Sequence, residues 1–177
     1  FAGEDGVAAV SIIMYLQFLC IGIYFGFSMG LSTPLGYAYG DRNFSVCRVL
    51  EKYAYRFFSI APIILYGCTY LLAPIGVRFF ASPGSTVFDM AVSGLRLYGL
   101  GFLFSGINIF AAIRMMTYGK GYISGMITFL RSFALLLLFL TVLPRFLELN
   151  GIWLAVPAAE ILTLIVALWT LRKKTVA

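Results

Sequence analysis

Two charged side chains, Arg131 and Glu160, each interrupt a long apolar run. A charge at the centre of a membrane helix costs about 2.5–3.5 kcal/mol even on lenient insertion scales, so something must compensate it. At 1.5 Å per residue, Glu160 lies ~13 Å and Arg131 ~18 Å below the outer ends of their runs, within about 5 Å of one depth. A long arginine bridges that gap. One reading is a buried ion pair that holds the last two helices together. The other is a carboxylate that accepts a proton or cation, or helps to bind a cationic substrate. The sequence leaves both open. Met14, Gln17, Ile21, Tyr24 and Ser28 form one stripe of an early helix, partly polar and partly soft. A mid-membrane glutamine either bonds a neighbouring helix or lines a water-filled cavity. Met14, Gln17 and Tyr24, with Asn108 from a later run, are the candidates for a substrate cavity. Arg96 lies nearer an edge, suited to snorkelling or to lining an outward vestibule.

The missing residue types narrow the chemistry further. The 177 residues contain no histidine, which removes Ser-His-Asp triads, Cys-His pairs, paired-histidine zinc helices and histidine-ligated haem together. Cys20, Cys47 and Cys68 are too widely spaced for a ligand motif and are expected as small buried hydrophobes. No metal site, cofactor or enzymatic constellation is expected.

The elements that must position these groups are membrane helices. Apolar stretches run at about residues 7–33, 54–79, 88–113, 121–143 and 151–171, each near the ~20 residues that cross the bilayer hydrocarbon. Mean hydropathy is +0.97 and only 11% of residues are charged. Arg42, Arg48, Lys52 and Arg56 fall in the first connection, Arg114 and Lys120 in the third, and Arg172, Lys173 and Lys174 in the tail. The opposite connections hold only Arg78 and Arg145. Loops rich in lysine and arginine stay in the cytoplasm, so the C-terminus is expected inside. The net charge of +6 is therefore read as topology and headgroup contact, not as nucleic-acid binding. Five spans with an inner C-terminus put the N-terminus outside, and this implies a further helix in front of Phe1.

Several local features carry expectations. Gly22, Gly26 and Gly30 recur every four residues and predict a face for close helix packing. Pro34, Gly36 and Gly40 predict a broken inner end to the first span, with Asp41 or Asn43 capping the next helix. Residues 44–55 read as a helix entering from the cytoplasmic interface. Ser82-Pro83-Gly84-Ser85 and Met115 to Gly121 read as turns, and Pro144 with Asn150-Gly151 as an outer loop.

Beyond these features, Gly3-Glu4-Asp5-Gly6-Val7-Ala8-Ala9 leads into a span ending Gly30-Leu31-Ser32-Thr33-Pro34-Leu35-Gly36-Tyr37-Ala38-Tyr39-Gly40-Asp41. Later come Phe129-Leu130-Arg131-Ser132 and Asn150-Gly151-Ile152-Trp153-Leu154-Ala155-Val156-Pro157. This set, in this order, resembles the second half of bacterial MATE transporters, the multidrug and toxic compound extrusion family, over the whole chain. The resemblance implies an all-α integral membrane fold, with residues 1–177 as a partial C-terminal lobe holding helices eight to twelve of a twelve-helix, two-lobe transporter. It implies proton- or sodium-coupled export of drugs and organic cations from the bacterial cytoplasmic (inner) membrane. The partners would be the lipid bilayer, the missing N-terminal lobe and the preceding helix. Coupling carboxylates of such transporters lie mostly in the N-terminal lobe, on the seventh helix or on the tenth. In this chain the tenth, residues 88–113, has only Asp89 at its outer mouth, so no coupling-ion site is recognisable. The alternatives are a lipid-linked saccharide flippase of the same superfamily and a non-transporting membrane subunit. Flippase cavities are strongly basic, whereas Arg96 and Arg131 are the only bases expected inside the membrane.

The charge asymmetry predicts that cysteines placed at Ser85 and Lys120 of the full-length protein react with an impermeant thiol reagent from opposite sides of the membrane. Labelling of both from one side would contradict the five-span topology.

Overall fold

The computed structural model describes residues 3–172, so Lys173 and Lys174 of the basic tail lie outside the described residues. Five helical spans cross the molecule: Gly3–Gly40, Phe44–Val77, Thr86–Thr117, Gly121–Val142 and Pro144–Arg172. The first two are the uninterrupted helices α1 (Gly3–Gly40) and α2 (Phe44–Val77). The third is α3 (Thr86–Tyr98) and α4 (Phe102–Thr117), joined by a 3-10 turn at Gly99–Gly101. The fourth is α5 (Gly121–Phe129) and α6 (Leu135–Val142), joined by a π-helical turn at Leu130–Ala134. The last is α7 (Pro144–Arg172), which bends where Glu148 takes φ 49° and ψ −128°.

The third span is the axis of the bundle. Of its most apolar window 67% is buried, against 6–44% for the other four. Its composition explains this position. Gly94, Gly101, Ser105, Gly106, Ala111 and Ala112 are small, and small residues let neighbouring backbones close in. A Cβ on Gly94 would lie 2.8 Å from both Ile13 of α1 and Trp153 of α7, and one on Gly106 would lie 2.8 Å from Phe58 of α2 and 3.2 Å from Tyr24. One on Gly101 would meet Val156 at 3.3 Å and the Pro157 backbone at 3.5 Å. Helices α1, α2 and α7 thus converge on three positions of one span.

The expected packing face of α1 is different in the structure. Gly22, Gly26 and Gly30 are exposed, and a Cβ on any of them would meet nothing within 4 Å. The opposite stripe faces inward, with Tyr24 and Ser28 fully buried. Spacing puts glycines on one face, but only the surrounding helices decide which face is used.

The first connection is also shorter than expected. α1 continues through Pro34 to Gly40, and only residues 41–43 separate it from α2. A proline inside a membrane helix gives up one backbone bond, which the surrounding bundle tolerates. Asn43 caps α2, its side chain accepting from the Val46 N–H at 3.4 Å. The Ser82–Ser85 turn holds Gly84 at φ 84°, and Ser85 caps α3 by accepting from Phe88 N–H at 3.2 Å. Pro144 starts a helix where a loop is expected, and Gly151 lies against the Leu143 backbone. Cys47 is buried and Cys20 half-buried, but Cys68 is exposed.

Overpacking a tight contact costs about 1–3 kcal/mol. Gly94→Leu and Gly106→Leu should therefore each lower the melting temperature of the detergent-solubilised full-length protein, whereas Gly26→Leu should leave it close to wild type. Equal losses at all three positions would contradict the packing described.

Candidate functional site

The deepest polar cluster lies where the last three spans meet. Glu160 is 3% exposed on the inward face of α7, three residues beyond Pro157. Arg131 Nε donates to Glu160 Oε1 at 2.6 Å. Asn108 Nδ2 of α4 donates to Glu160 Oε2 at 2.7 Å and to the Glu160 carbonyl at 2.9 Å. Each carboxylate oxygen therefore has its own donor, which is how a buried charge becomes tolerable. Arg131 sits within the π-helical turn, an insertion that re-aims side chains and recurs at functional positions.

A thinner polar layer borders this cluster. The Tyr98 hydroxyl donates to Gln17 Oε1 and so links α3 to α1. The Tyr24 hydroxyl donates to the Phe102 carbonyl at 2.9 Å, beside the 3-10 turn. Asn108 Oδ1 and the hydroxyls of Ser28 and Ser105 are buried with no hydrogen-bond partner among the described residues. Hydrogen-bonding capacity is left over along the α1–α4 seam.

Gln17, Tyr24 and Asn108 are thus polar groups inside the bundle. Met14 is 59% exposed on its outside. Arg96 lies against α2, its guanidinium 4.8 Å from the centre of the Tyr70 ring and its Nε 3.4 Å from the Tyr70 carbonyl. Among the described residues no three Cys, Asp or Glu side chains converge on a metal-sized site.

A second buried ion pair is absent from the sequence reading. Arg114, assigned there to a connection, is the fourth-last residue of α4 and only 3% exposed. Its Nε donates to Glu51 Oε1 of α2 at 2.5 Å, and the Tyr118 hydroxyl donates to the same oxygen at 2.6 Å. Burial pushes the Tyr118 phenol above its ordinary pKa, and bonding to Glu51 raises it further, so the hydroxyl remains a donor. A signal for Glu51 does exist. Cys47, Glu51, Ala54 and Phe58 recur at helical spacing on the buried face of α2, while Arg48, Lys52 and Arg56 are exposed. The acid in this basic stretch is on the wrong face for solvent, which marks it as paired.

Comparisons with known proteins agree with this geometry. Residues 1–143 match the family profile described as MatE. No curated protein matches the chain. Among solved structures, the Vibrio cholerae MATE transporter VcmN in its bent form gives a TM-score of 0.88 at 21% identity, over 98% of this chain and 39% of that one. An outward-facing multidrug resistance MATE family transporter of the MOP superfamily gives 0.87 at 22% identity, over 96% and 39%. A MOP superfamily transporter from Pyrococcus furiosus, described as having a binding pocket of reversed polarity that suggests a different function, gives 0.85 at 22% identity, over 95% and 38%. At these identities the likeness shows the fold, and the chain spans under two fifths of each of these proteins.

The Glu160 cluster generates a double-mutant test in the full-length protein. Removing one partner of a buried pair costs about 3–5 kcal/mol. Arg131→Met alone should therefore destabilise strongly, and Arg131→Met with Glu160→Gln should recover much of the loss. Additive losses, measured by thermal or denaturant unfolding, would show that the two charges do not stabilise each other.

Proposed function

The chain belongs to the MatE family of membrane transporters, and from that premise we propose that it is the C-terminal lobe of a secondary antiporter that expels drugs and organic cations, driven by inward protons or sodium. The family match over residues 1–143 supports the transporter class. The charge pattern of the lobe supports the cargo. Beside the expected Arg96 and Arg131, Arg114 is also buried in its span; Arg131 is neutralised by Glu160, Arg114 by Glu51, and Arg96 lies on the Tyr70 ring. A lobe whose intramembrane cations are already engaged offers no basic cluster for a pyrophosphate-linked saccharide. It suits a positively charged guest.

In this reading the lobe moves as one body against the remainder of the protein, so that a central site opens to each side in turn. The partner is the N-terminal lobe with the preceding helix, as expected for a chain that spans 38–39% of its structural neighbours. Orientation follows the lysine and arginine count, with the C-terminus in the cytoplasm and the protein in a bacterial inner membrane. Glu160 is read as structural, because both of its oxygens are occupied by side chains of the same lobe.

The test uses the full-length protein in everted membrane vesicles from a strain without its own efflux pumps. The proposal expects uptake of ethidium that collapses when an ionophore dissipates the proton or sodium gradient. No cation movement under either gradient, with translocation of a lipid-linked saccharide instead, would replace the antiporter by a flippase.

A further inference from the structure

We propose that the seam between α1 and α2 is a phospholipid site, taking an acyl chain into an apolar groove and the lipid phosphate at Arg78. Two cavities of about 300 Å³ and about 560 Å³ share Leu16, Leu19 and Gly76, so they form one continuous groove. It reaches from Cys68 and Thr69 at one end to Phe79 and Phe80 at the other. Its walls are almost wholly apolar, and Leu19 and Leu72 stand 67% and 53% exposed along it. Gly76 forms the floor, since a Cβ there would only just touch Leu16 at 3.4 Å. A larger side chain at that position would fill the groove.

The length of the groove matches one leaflet. No charged residue lies between Arg56 and Arg78, a stretch of ~33 Å of helix that suits the ~30 Å hydrocarbon thickness. The groove occupies the Arg78 half. From Cys68 to Phe79 is ~16 Å of helix, against ~15 Å for half that thickness. The Tyr15 and Phe80 rings are parallel at 6.0 Å beside the Arg78 end, and such aromatic residues gather at the membrane–water boundary.

Arg78 supplies the charge complement. It is exposed at the C-cap of α2 and forms no ion pair among the described residues. Lipid tails are as apolar as leucine, so the groove gains little from exchanging one tail for another. Selectivity must come from the fit of the tail and the contact between guanidinium and phosphate. An anionic headgroup adds to that contact, which favours phosphatidylglycerol over phosphatidylcholine. This site is independent of the transported cargo.

The full-length protein would be reconstituted in vesicles containing phosphatidylglycerol with a diazirine on one acyl chain, then irradiated and mapped by mass spectrometry. Adducts should concentrate on residues 15–20 and 68–79 and exceed those on the exposed fourth span. Gly76→Phe should abolish the enrichment. Leu72→Trp, at an exposed position that leaves the bundle unchanged, should do the same if Gly76→Phe fails to fold. Arg78→Gln should reduce the preference for phosphatidylglycerol over the matched phosphatidylcholine probe by about fivefold. Adducts spread evenly over all exposed spans would reduce the groove to ordinary boundary lipid. No adducts in the groove would mean that another part of the full-length protein covers it. Either result overturns the proposal.

Discussion

The Glu160 carboxylate is the group on which the arrangement of the last three spans depends. Hydrocarbon offers it no solvation, so each oxygen must find a donor within the protein. Arg131 and Asn108 provide them, at 2.6 Å and 2.7 Å. Satisfying the charge fixes geometry as well as energy. The fourth span is the least buried of the five, and the ion pair ties it to α7 at mid-membrane. The π-helical turn at Leu130–Ala134 belongs to the same requirement, since it carries Arg131.

The third span converts this local constraint into a whole lobe. Its small residues admit α1, α2 and α7 at close range, while Asn108 from the middle of α4 binds Glu160 and Arg114 from its last turn binds Glu51. The two buried pairs therefore brace a common axis, one near mid-membrane and one at the end toward Tyr118. A bundle braced at two depths resists internal shear. That property suits a lobe proposed to rock as a unit, where cargo movement requires the lobe to keep its shape.

Local constraints are the ones that were legible in the sequence. Hydropathy, turn residues and the Asn43 cap act over a few positions, and five long apolar helices emerge. The depth match of Arg131 and Glu160 was legible because antiparallel neighbours joined by a short connection leave little freedom in register. The glycine face was not, because Gly22, Gly26 and Gly30 share a face whatever packs against it. Gly94 and Gly106, which do carry the close approaches, have no such regular spacing to advertise them. Glu51 was hidden among Arg48, Lys52 and Arg56. Its partner Arg114 is 63 residues away, and only the fold brings them together.

Glu160 is held by direct contact with Arg131 inside the membrane. Solid-state NMR of the full-length protein in lipid bilayers measures this most directly, through the dipolar coupling between ¹⁵N at Arg131 Nε and ¹³C at the Glu160 carboxyl. The ion pair should give a strong coupling, corresponding to a hydrogen-bonded pair, together with the chemical shift of an ionised carboxylate. A Glu160 carboxyl that is protonated and shows no coupling to Arg131 would contradict it.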